Sequence, residues 1–423
     1  MGAAIVLAYI ALYLLSPGDM LPALKQFRLS LLLAIAAVPM VILACLRKPD
    51  PGKLPTQFVL VILFYGWALC SRLPHGDLGG NVRTLLLLSP NLFVYFFVLF
   101  LLDSPEKLNA LRATLIIVAL FVLINGLIGI PFARDTGITT PYDVTSHLRV
   151  HPYFVRIRGL GMLGDPNNFG HFLLMTLPML YVNKKYTGLG VTSAIVTTIT
   201  ILFLIGIYWG GSRGVEMGAA ALLGLALVRR FKVAGAVVSV AVAALLVITI
   251  NSFNGPRTIN ISGGTDRLAI WSDGLSYFQS SPIWGIGYDN FTAKQGKTAH
   301  NSYVLCAAEL GFVGFFLWIS IIVVTLIQLH AVHKLQVKSN PILARWAVAL
   351  TFSITAYLFT AFFLSLTYEL PLFMLLGMAG SIITLAGGDD TVPLRGTKWP
   401  LWALGSCAGL LAVIYGASRL RLQ

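Results

Sequence analysis

Long apolar stretches recur along almost the whole chain and decide what it can fold into. A helical window of about 19 apolar residues is long enough to cross roughly 30 Å of hydrocarbon. Of the 423 residues, 57% are hydrophobic and only 11% are charged, whereas a soluble domain carries about 25% charged residues. The chain is therefore expected to be an integral membrane protein.

Helices are favoured over strands as the spanning elements. Transmembrane strands alternate apolar and polar residues, whereas segments such as 113–130 and 233–250 are apolar nearly all round. The predicted fold class is all-α, a polytopic transmembrane helical bundle of about 12 or 13 spans. The spans are expected near residues 3–16, 29–46, 56–71, 84–102, 113–132, 167–182, 188–209, 215–228, 231–250, 303–329, 346–366, 370–386 and 400–417.

The predicted organisation is a single integral membrane domain, residues 1–423, with two long polar segments between spans. Residues 251–302 form the larger segment and residues 133–166 the second one. Basic clusters in short loops, such as Arg229-Arg230, all fall on one side if the amino terminus is cytoplasmic. Since short cytoplasmic loops are enriched in basic residues, both polar segments are expected to face the periplasm.

The net charge of +14 comes from basic residues spread over many loops. This spread favours anionic lipid or an anionic substrate as the partner, and no nucleic acid is expected. Several arginines fall on the outer side against the insertion bias, among them Arg213 in a tight turn. Long translocated segments ignore the bias, which accounts for part of this set. An anionic ligand bound by guanidinium groups is the alternative explanation.

The larger polar segment contains a predicted amphipathic helix. Thr265-Asp266 is a suitable helix start. The apolar residues that follow at three- and four-residue spacing are Leu268, Trp271, Leu275 and Phe278. This pattern predicts a helix across the outer mouth of the bundle. After it, Gly285-Ile286-Gly287 gives a turn whose backbone can approach a ligand closely.

His300 lies at the end of the same segment, directly before the span that contains Glu309. Histidine suits general-base chemistry because its unperturbed pKa of about 6.5 is close to neutral pH. A helix-capping or interfacial histidine is the alternative. Glu309 in an apolar span is costly, so it is a functional group or a partner in a structural hydrogen bond or salt bridge. No metal or other cofactor is predicted, since the four cysteines lie in apolar stretches without ligand spacing.

Several motifs, in order, resemble the signature region of the O-antigen ligase and polymerase superfamily. They are Arg158-Gly159-x-Gly161 with Asp165-Pro166-Asn167, then Gly211-Ser212-Arg213-Gly214, Arg267-x-x-x-Trp271, Ser281-Pro282-Ile283-x-Gly285-Ile286-Gly287-x-Asp289-Asn290-Phe291, and His300-Asn301-Ser302-Tyr303 followed by Glu309-Leu310-Gly311. Together these motifs cover roughly residues 158–314. The amino-terminal third resembles the family only in its span pattern and in Pro17-Gly18.

This resemblance implies an enzyme of the bacterial inner membrane with its active site facing the periplasm. It would transfer O-antigen polysaccharide from undecaprenyl pyrophosphate to a lipid A-core, or other, acceptor hydroxyl without a metal. His300 would be the base and Arg213 the first cation for the pyrophosphate. Substrate-binding roles would fall to Arg158, Arg267, Asp289, Asn290, Asn301, Tyr303, Glu309 and Asp165, although Asp165 is equally suited to cap a helix.

Two other functions remain open from the residues alone. An O-antigen polymerase that joins carrier-linked repeat units needs the same cations and base, so the sequence separates it poorly from a ligase. A secondary transporter would be expected to carry charges at mid-membrane depth and a repeated half. Glu309 is one such charge, and no convincing internal repeat is present.

Overall fold

Helices make up most of the structure, a computed structural model that describes residues 2–419 except 21, 26, 48–53, 77, 136–147, 152–153, 160, 184–189, 254–260, 391–393 and 395. In chain order the helices are α1 (Gly2–Leu15), α2 (Pro17–Met20), α3 (Pro22–Lys25), α4 (Leu29–Arg47), α5 (Thr56–Cys70), α6 (Leu78–Leu101), α7 (Pro105–Asp135), α8 (Pro166–Thr176), α9 (Val191–Gly210), α10 (Arg213–Phe253), α11 (Ile261–Ser280), α12 (Phe291–Gln295), α13 (Ser302–Ser339), α14 (Pro341–Ala361), α15 (Leu370–Leu385) and α16 (Trp399–Arg419). Short 3-10 helices occupy Leu73–His75, Gly161–Leu163, Leu177–Tyr181 and Gly388–Asp390.

Within the described residues, nine helices are long and apolar enough to cross a membrane: α1, α4, α5, α6, α7, α9, α13, α14 and α16. This confirms the all-α, polytopic fold class. The apolar helix α15 is shorter, with 16 residues. The span expected near 167–182 divides into α8 and the 3-10 helix Leu177–Tyr181. Over the described residues, every predicted span therefore overlaps a helix, although not every one forms a single long helix.

The two spans expected near 215–228 and 231–250 are two arms of α10. Lys232 has non-helical backbone angles, φ 52° and ψ −122°, and divides the helix. The Ser239 hydroxyl donates to the Gly224 carbonyl across 3.1 Å, so the second arm folds back along the first. The bend at the basic residue Lys232 agrees with the predicted loop between two spans, and α10 is not one continuous helix of 41 residues.

A small β-hairpin adds to the predicted helical fold. Strand β1 (Leu148–His151) pairs with β2 (Phe154–Ile157) in antiparallel register, with Leu148 opposite Ile157 and His151 opposite Phe154. Both strands lie in the polar segment 133–166. Apolar and polar residues alternate in β1 but not in β2, where Phe154 and Val155 are adjacent, so the sequence signal for this hairpin is weak.

The chain forms two compact units. Unit 1 comprises Met1–Pro49, Phe96–Pro256 and Asn340–Thr360, and unit 2 comprises Asp50–Tyr95, Arg257–Ser339 and Ala361–Gln423. In unit 1, α1 packs against α4 and α7, and α8 packs against α9. In unit 2, α13 packs against α5, α11, α15 and α16. Each unit therefore has its own framework of packed helices.

Helix α13 is broken at Gly311, whose backbone angles are φ 63° and ψ −166°. A break frees backbone groups that a continuous helix would pair, and the segment before α12 satisfies them. Phe312 N–H donates to the Pro282 carbonyl across 2.7 Å, and Ile286 N–H donates to the Ala308 carbonyl across 2.9 Å. A Cβ atom at Gly311 would collide with the main chain of residue 283.

Candidate functional site

In unit 1, the turn between α9 and α10 carries Arg213. Gly211 has a left-handed φ of 59°, and its N–H donates to the carbonyls of Ile207 and Tyr208 at 3.2 and 3.0 Å. Ser212 is buried, whereas Arg213, the first residue of α10, is exposed. The cap of α9 therefore fixes the backbone that presents this guanidinium group.

The start of α8 lies against this turn. Asp165 accepts a hydrogen bond from the Asn167 N–H at 2.7 Å and so caps α8. Arg156 of β2 donates to the Gly210 carbonyl at 2.7 Å and to Asn167 Oδ1 at 3.0 Å. The structure thus brings the Asp165 and Arg213 motifs together in unit 1. The capping role of Asp165 is observed, and its contact with sugar stays a prediction.

Arg158 follows β2 and is half-buried. Its Nε atom is buried and has no hydrogen-bond partner among the described residues. A buried polar nitrogen without a partner is unusual in a native protein and calls for an explanation. A guanidinium group that binds an anionic ligand is one such explanation.

In unit 2, His300 is held between two anchored neighbours. The Ala299 carbonyl accepts from the indole N–H of Trp271 at 3.1 Å. Asn301 Oδ1 accepts from the N–H groups of Tyr303 and Val304 at 2.9 and 3.1 Å and caps α13. His300 itself is half-buried and has a left-handed φ of 48°, which costs a non-glycine residue about 1–2 kcal/mol.

The start of α13 is also tied to the segment between α14 and α15. The Ser302 hydroxyl donates to the Leu364 carbonyl and accepts from the Leu366 N–H, both at 2.7 Å. Tyr303 is buried, and its ring meets that of Trp318 edge-on at 5.4 Å between centroids. The backbone around His300 is therefore supported from several directions, and Tyr303 belongs to this support.

The loop before α12 carries Asp289. Gly285 has a φ of 70°, and a Cβ atom there would collide with the main chain at Glu309. The close approach permitted by this glycine is thus made to the broken helix α13. An approach of the same backbone to a ligand stays a prediction. Asp289 has a left-handed φ of 61° and pairs with Arg83 at 3.0 Å.

Glu309 is buried, with 2% of its surface exposed, and its Oε1 accepts from the Phe291 N–H at 3.0 Å. Of the alternatives for Glu309, the structural hydrogen bond is the one observed. Asn290 is engaged in a similar way: its Oδ1 accepts from Arg72 at 2.6 Å and its Nδ2 donates to the Ile286 carbonyl at 2.8 Å. Substrate contacts by either residue stay predictions.

Two acids near this loop resist ionisation. Burial, together with the carboxylates of Glu309, Asp289 and Glu369, raises the pKa of the Tyr288 hydroxyl. Burial likewise raises the pKa of the Glu369 carboxyl. Tyr288 therefore remains a hydrogen-bond donor at neutral pH, and Glu369 is a weaker acid than an exposed glutamate.

The amphipathic helix is confirmed as α11, which begins at Ile261, ahead of the predicted start at Thr265-Asp266. Trp271 and Leu275 are buried, and Arg267 is exposed on the same helix. Its position across the outer mouth of the bundle stays a prediction. Sequence reasoning missed the structural contacts of Arg72 and Arg156, although both belong to the arginines that are expected on the outer side.

Comparison with known proteins gives one family match. Residues 198–319 match the family model described as O-antigen ligase. The matched stretch contains Arg213, Arg267, Asp289, His300 and Glu309. No curated protein matches the chain. The match over residues 198–319 supports the resemblance to the O-antigen ligase superfamily that is seen in the ordered motifs.

Proposed function

We propose that this chain transfers O-antigen polysaccharide from undecaprenyl pyrophosphate to a lipid A-core, or other, acceptor hydroxyl. The family supports an O-antigen ligase or polymerase type of membrane enzyme. The observation that carries the proposal is the backbone of His300, which lies within the matched stretch and has a φ of 48°. Such strain persists only where the surroundings impose it, and it clusters at active sites.

In the proposed reaction, His300 is the general base. The acceptor hydroxyl oxygen attacks the anomeric carbon of the glycan while the bond from that carbon to the pyrophosphate oxygen breaks. The hydroxyl proton passes to an imidazole nitrogen of His300, and undecaprenyl pyrophosphate leaves. A positioned base of this kind contributes a rate factor of about 10²–10⁴.

Arginines would stabilise the leaving group. Negative charge grows on the pyrophosphate as the bond breaks, and fixed cations lower the energy of that state. Guanidinium groups donate paired hydrogen bonds to phosphate oxygens. We assign this role to Arg213, Arg158 and Arg267, with support from the buried Nε of Arg158 that has no partner in the described chain. The assignment requires no metal ion.

The proposed displacement is a single step, because no pair of carboxylates suited to a nucleophile and an acid stands out in the sequence. A single displacement inverts the configuration at the anomeric carbon. We therefore expect the new glycosidic bond to have the configuration opposite to that of the donor. Retained configuration in the NMR spectrum of the product would contradict this step.

We place the reaction on the periplasmic face of the inner membrane, in accordance with the basic loops of the sequence. Membrane lipids surround the protein, and the lipid tail of the donor enters from the bilayer. Asp289, Asn290, Asn301, Tyr303, Glu309 and Asp165 complete the proposed substrate-binding set, either by direct contact or through the loops that they hold.

The test is complementation of a ligase-deficient strain, scored by the lipopolysaccharide ladder on a gel at equal membrane expression. Wild type should restore the ladder, and His300→Ala and Arg213→Ala should lose it. His330→Ala and Arg229→Ala are matched controls, because these exposed side chains lie on the same helices, α13 and α10, as the residues they control for. Both controls should restore the ladder.

Other outcomes have defined meanings. A well-expressed wild type that restores no ladder, but relieves the accumulation of unpolymerised carrier-linked repeats in a polymerase-deficient strain, would replace the ligase with a polymerase. A ladder that persists in His300→Ala would remove the base from the mechanism.

A further inference from the structure

The guanidinium group of Arg72 holds the loop that carries Asp289. Arg72 is 5% exposed. Its Nε donates to the Tyr288 carbonyl at 2.8 Å, and its Nη2 donates to Asn290 Oδ1 at 2.6 Å. The neighbouring Ser71 hydroxyl accepts from the Tyr288 N–H at 3.1 Å. The residues on both sides of Asp289 are therefore fixed from the end of α5.

Further contacts from the same end of α5 extend this support. His75 Nε2 lies 3.0 Å from the Gly285 carbonyl oxygen. The Trp67 indole N–H donates to the Leu310 carbonyl at 2.9 Å, and its ring stacks on Trp284 with centroids 4.5 Å apart. All of these residues belong to unit 2. The loop before α12 is thus bound to α5 as well as to α13.

Arg156 makes the same arrangement in unit 1. Its Nε donates to a main-chain carbonyl, that of Gly210, at 2.7 Å, and its Nη2 donates to an asparagine oxygen, that of Asn167, at 3.0 Å. Gly210 ends α9, and the turn that follows presents Arg213. Each unit therefore contains an arginine that fixes a loop bearing a proposed substrate-binding residue.

We propose that Arg72 and Arg156 are positioning residues of the transfer reaction and that each serves a different substrate. Arg156 holds the turn of Arg213 for the pyrophosphate donor, and Arg72 holds Asp289 for the sugar acceptor. This inference rests on the proposed function. Neither arginine needs to touch a substrate, because each acts through the backbone that it fixes.

The division between substrates follows from charge. A guanidinium group such as that of Arg213 attracts pyrophosphate oxygens and donates to them in pairs. The Asp289 carboxylate, which is paired with Arg83, has no donor to offer to pyrophosphate oxygens, but it accepts hydrogen bonds from sugar hydroxyl groups. A shift of either loop should therefore weaken the binding of one substrate more than that of the other.

Arginine is required at both positions because two different acceptors are bound at once. The planar guanidinium group directs its N–H donors in a fixed fork, whereas a lysine ammonium is a point charge on a flexible chain. Lysine would keep the charge and reach one acceptor. Methionine would preserve much of the apolar stem and remove both hydrogen bonds.

The experiment measures steady-state kinetics of the purified full-length protein with a carrier-linked glycan donor and a lipid A-core acceptor. Arg156→Met should raise the donor KM about tenfold or more and change the acceptor KM less than about twofold. Arg72→Met should raise the acceptor KM about tenfold or more and change the donor KM less than about twofold. Each variant is the matched control of the other, since each removes the hydrogen bonds that one guanidinium group donates to a carbonyl and to an asparagine oxygen.

The lysine variants provide the second comparison. Arg72→Lys and Arg156→Lys should separate the donor KM from the acceptor KM in the same way, but by a smaller factor. A lysine variant is measured instead of any methionine variant that is not recovered from the membrane. A merely structural role would lower thermal stability and the recovered activity without separating the two KM values. Equal changes in both KM values, or a fall in kcat alone, would overturn the inference.

A binding measurement separates this inference from the proposed function. Undecaprenyl pyrophosphate alone, in detergent micelles, should bind wild type and Arg72→Met alike and bind Arg156→Met about tenfold more weakly. Absence of binding to wild type would count against the proposed donor. Equal affinity of wild type and both variants for undecaprenyl pyrophosphate would overturn only the positioning role of Arg156. This conclusion does not depend on the identity of the acceptor.

Discussion

At the scale of single residues, backbone strain singles out two of the proposed site residues. Among the described residues other than glycine, five have a positive φ, and Asp289 and His300 are two of them. Left-handed geometry is disfavoured for residues with a Cβ atom. A chain that keeps a histidine there, anchored by its neighbours Ala299 and Asn301, retains the side chain at a cost in stability, as expected for a catalytic group.

This strain predicts different effects of His300→Gly on stability and on activity. Glycine adopts positive φ without penalty, so the variant should be as stable as wild type or more stable by about 0.5–1 kcal/mol. Its activity should fall about 10²–10⁴-fold because the base is lost. The measurements are the melting temperature in detergent and the rate of glycan transfer.

Added imidazole sharpens this test. It should restore part of the activity of His300→Gly, where the deleted side chain leaves space for it, and have no effect on Arg213→Ala. A His300→Gly variant that keeps full activity would show that His300 is not the base.

The residue scale also shows what local sequence reveals. The capping role of Asp165 was foreseeable because Asp165-Pro166 precedes a helix, and caps depend on neighbours two or three residues away. The contact between Glu309 and Phe291 was only one of several alternatives, because 18 residues separate the partners. Arg72 was harder still: its acceptor on Asn290 lies 218 residues away, and hydropathy carries no information about that pairing.

At the scale of elements, the apolar pattern predicted where the helices lie but not where they break. Hydropathy reports which stretches prefer lipid, and α13 is apolar on both sides of Gly311. The break depends on contacts from a distant segment, residues 282–287, which supply partners for the interrupted main chain. The bend at Lys232 was easier to predict, since a basic cluster separates the two arms of α10.

The broken helix predicts that Gly311→Ala is strongly destabilising. The backbone angles of Gly311 fall in a region that essentially only glycine adopts, and a Cβ atom would collide with the Ile283 main chain. We expect a loss of at least about 2 kcal/mol in the free energy of unfolding. Thermal unfolding in detergent, followed by tryptophan fluorescence, is the measurement.

Gly405→Ala in α16 is the matched control. Apart from the two chain neighbours and the backbone of α16 itself, no atom of the described residues lies within 4 Å of the position that its Cβ would take. Alanine is favoured over glycine inside a helix by about 0.5–1 kcal/mol. Its melting temperature should therefore be equal to or above that of wild type. A Gly311→Ala protein as stable as this control would contradict the need for the break.

At the scale of the whole molecule, the proposed function depends on which side of the membrane each end of α13 faces. The loop and helix that contain Asp289 and Lys294 precede α13, and the basic residues Lys334 and Lys338 lie near its other end. Because short cytoplasmic loops are rich in basic residues, the first end should face the periplasm and the second the cytoplasm. A donor exported on its lipid carrier would then meet His300 on the periplasmic side.

Cysteine labelling in spheroplasts tests this orientation. The background is Cys45→Ala with Cys70→Ala, since the other two cysteines are buried. In it, Lys294→Cys should react with a membrane-impermeant maleimide in intact spheroplasts, and Lys334→Cys should react only after lysis. Both lysines are exposed, so a difference in labelling reports the side of the membrane rather than burial. The reverse pattern would place His300 in the cytoplasm, where the exported glycan donor is absent, and would reject the ligase reaction.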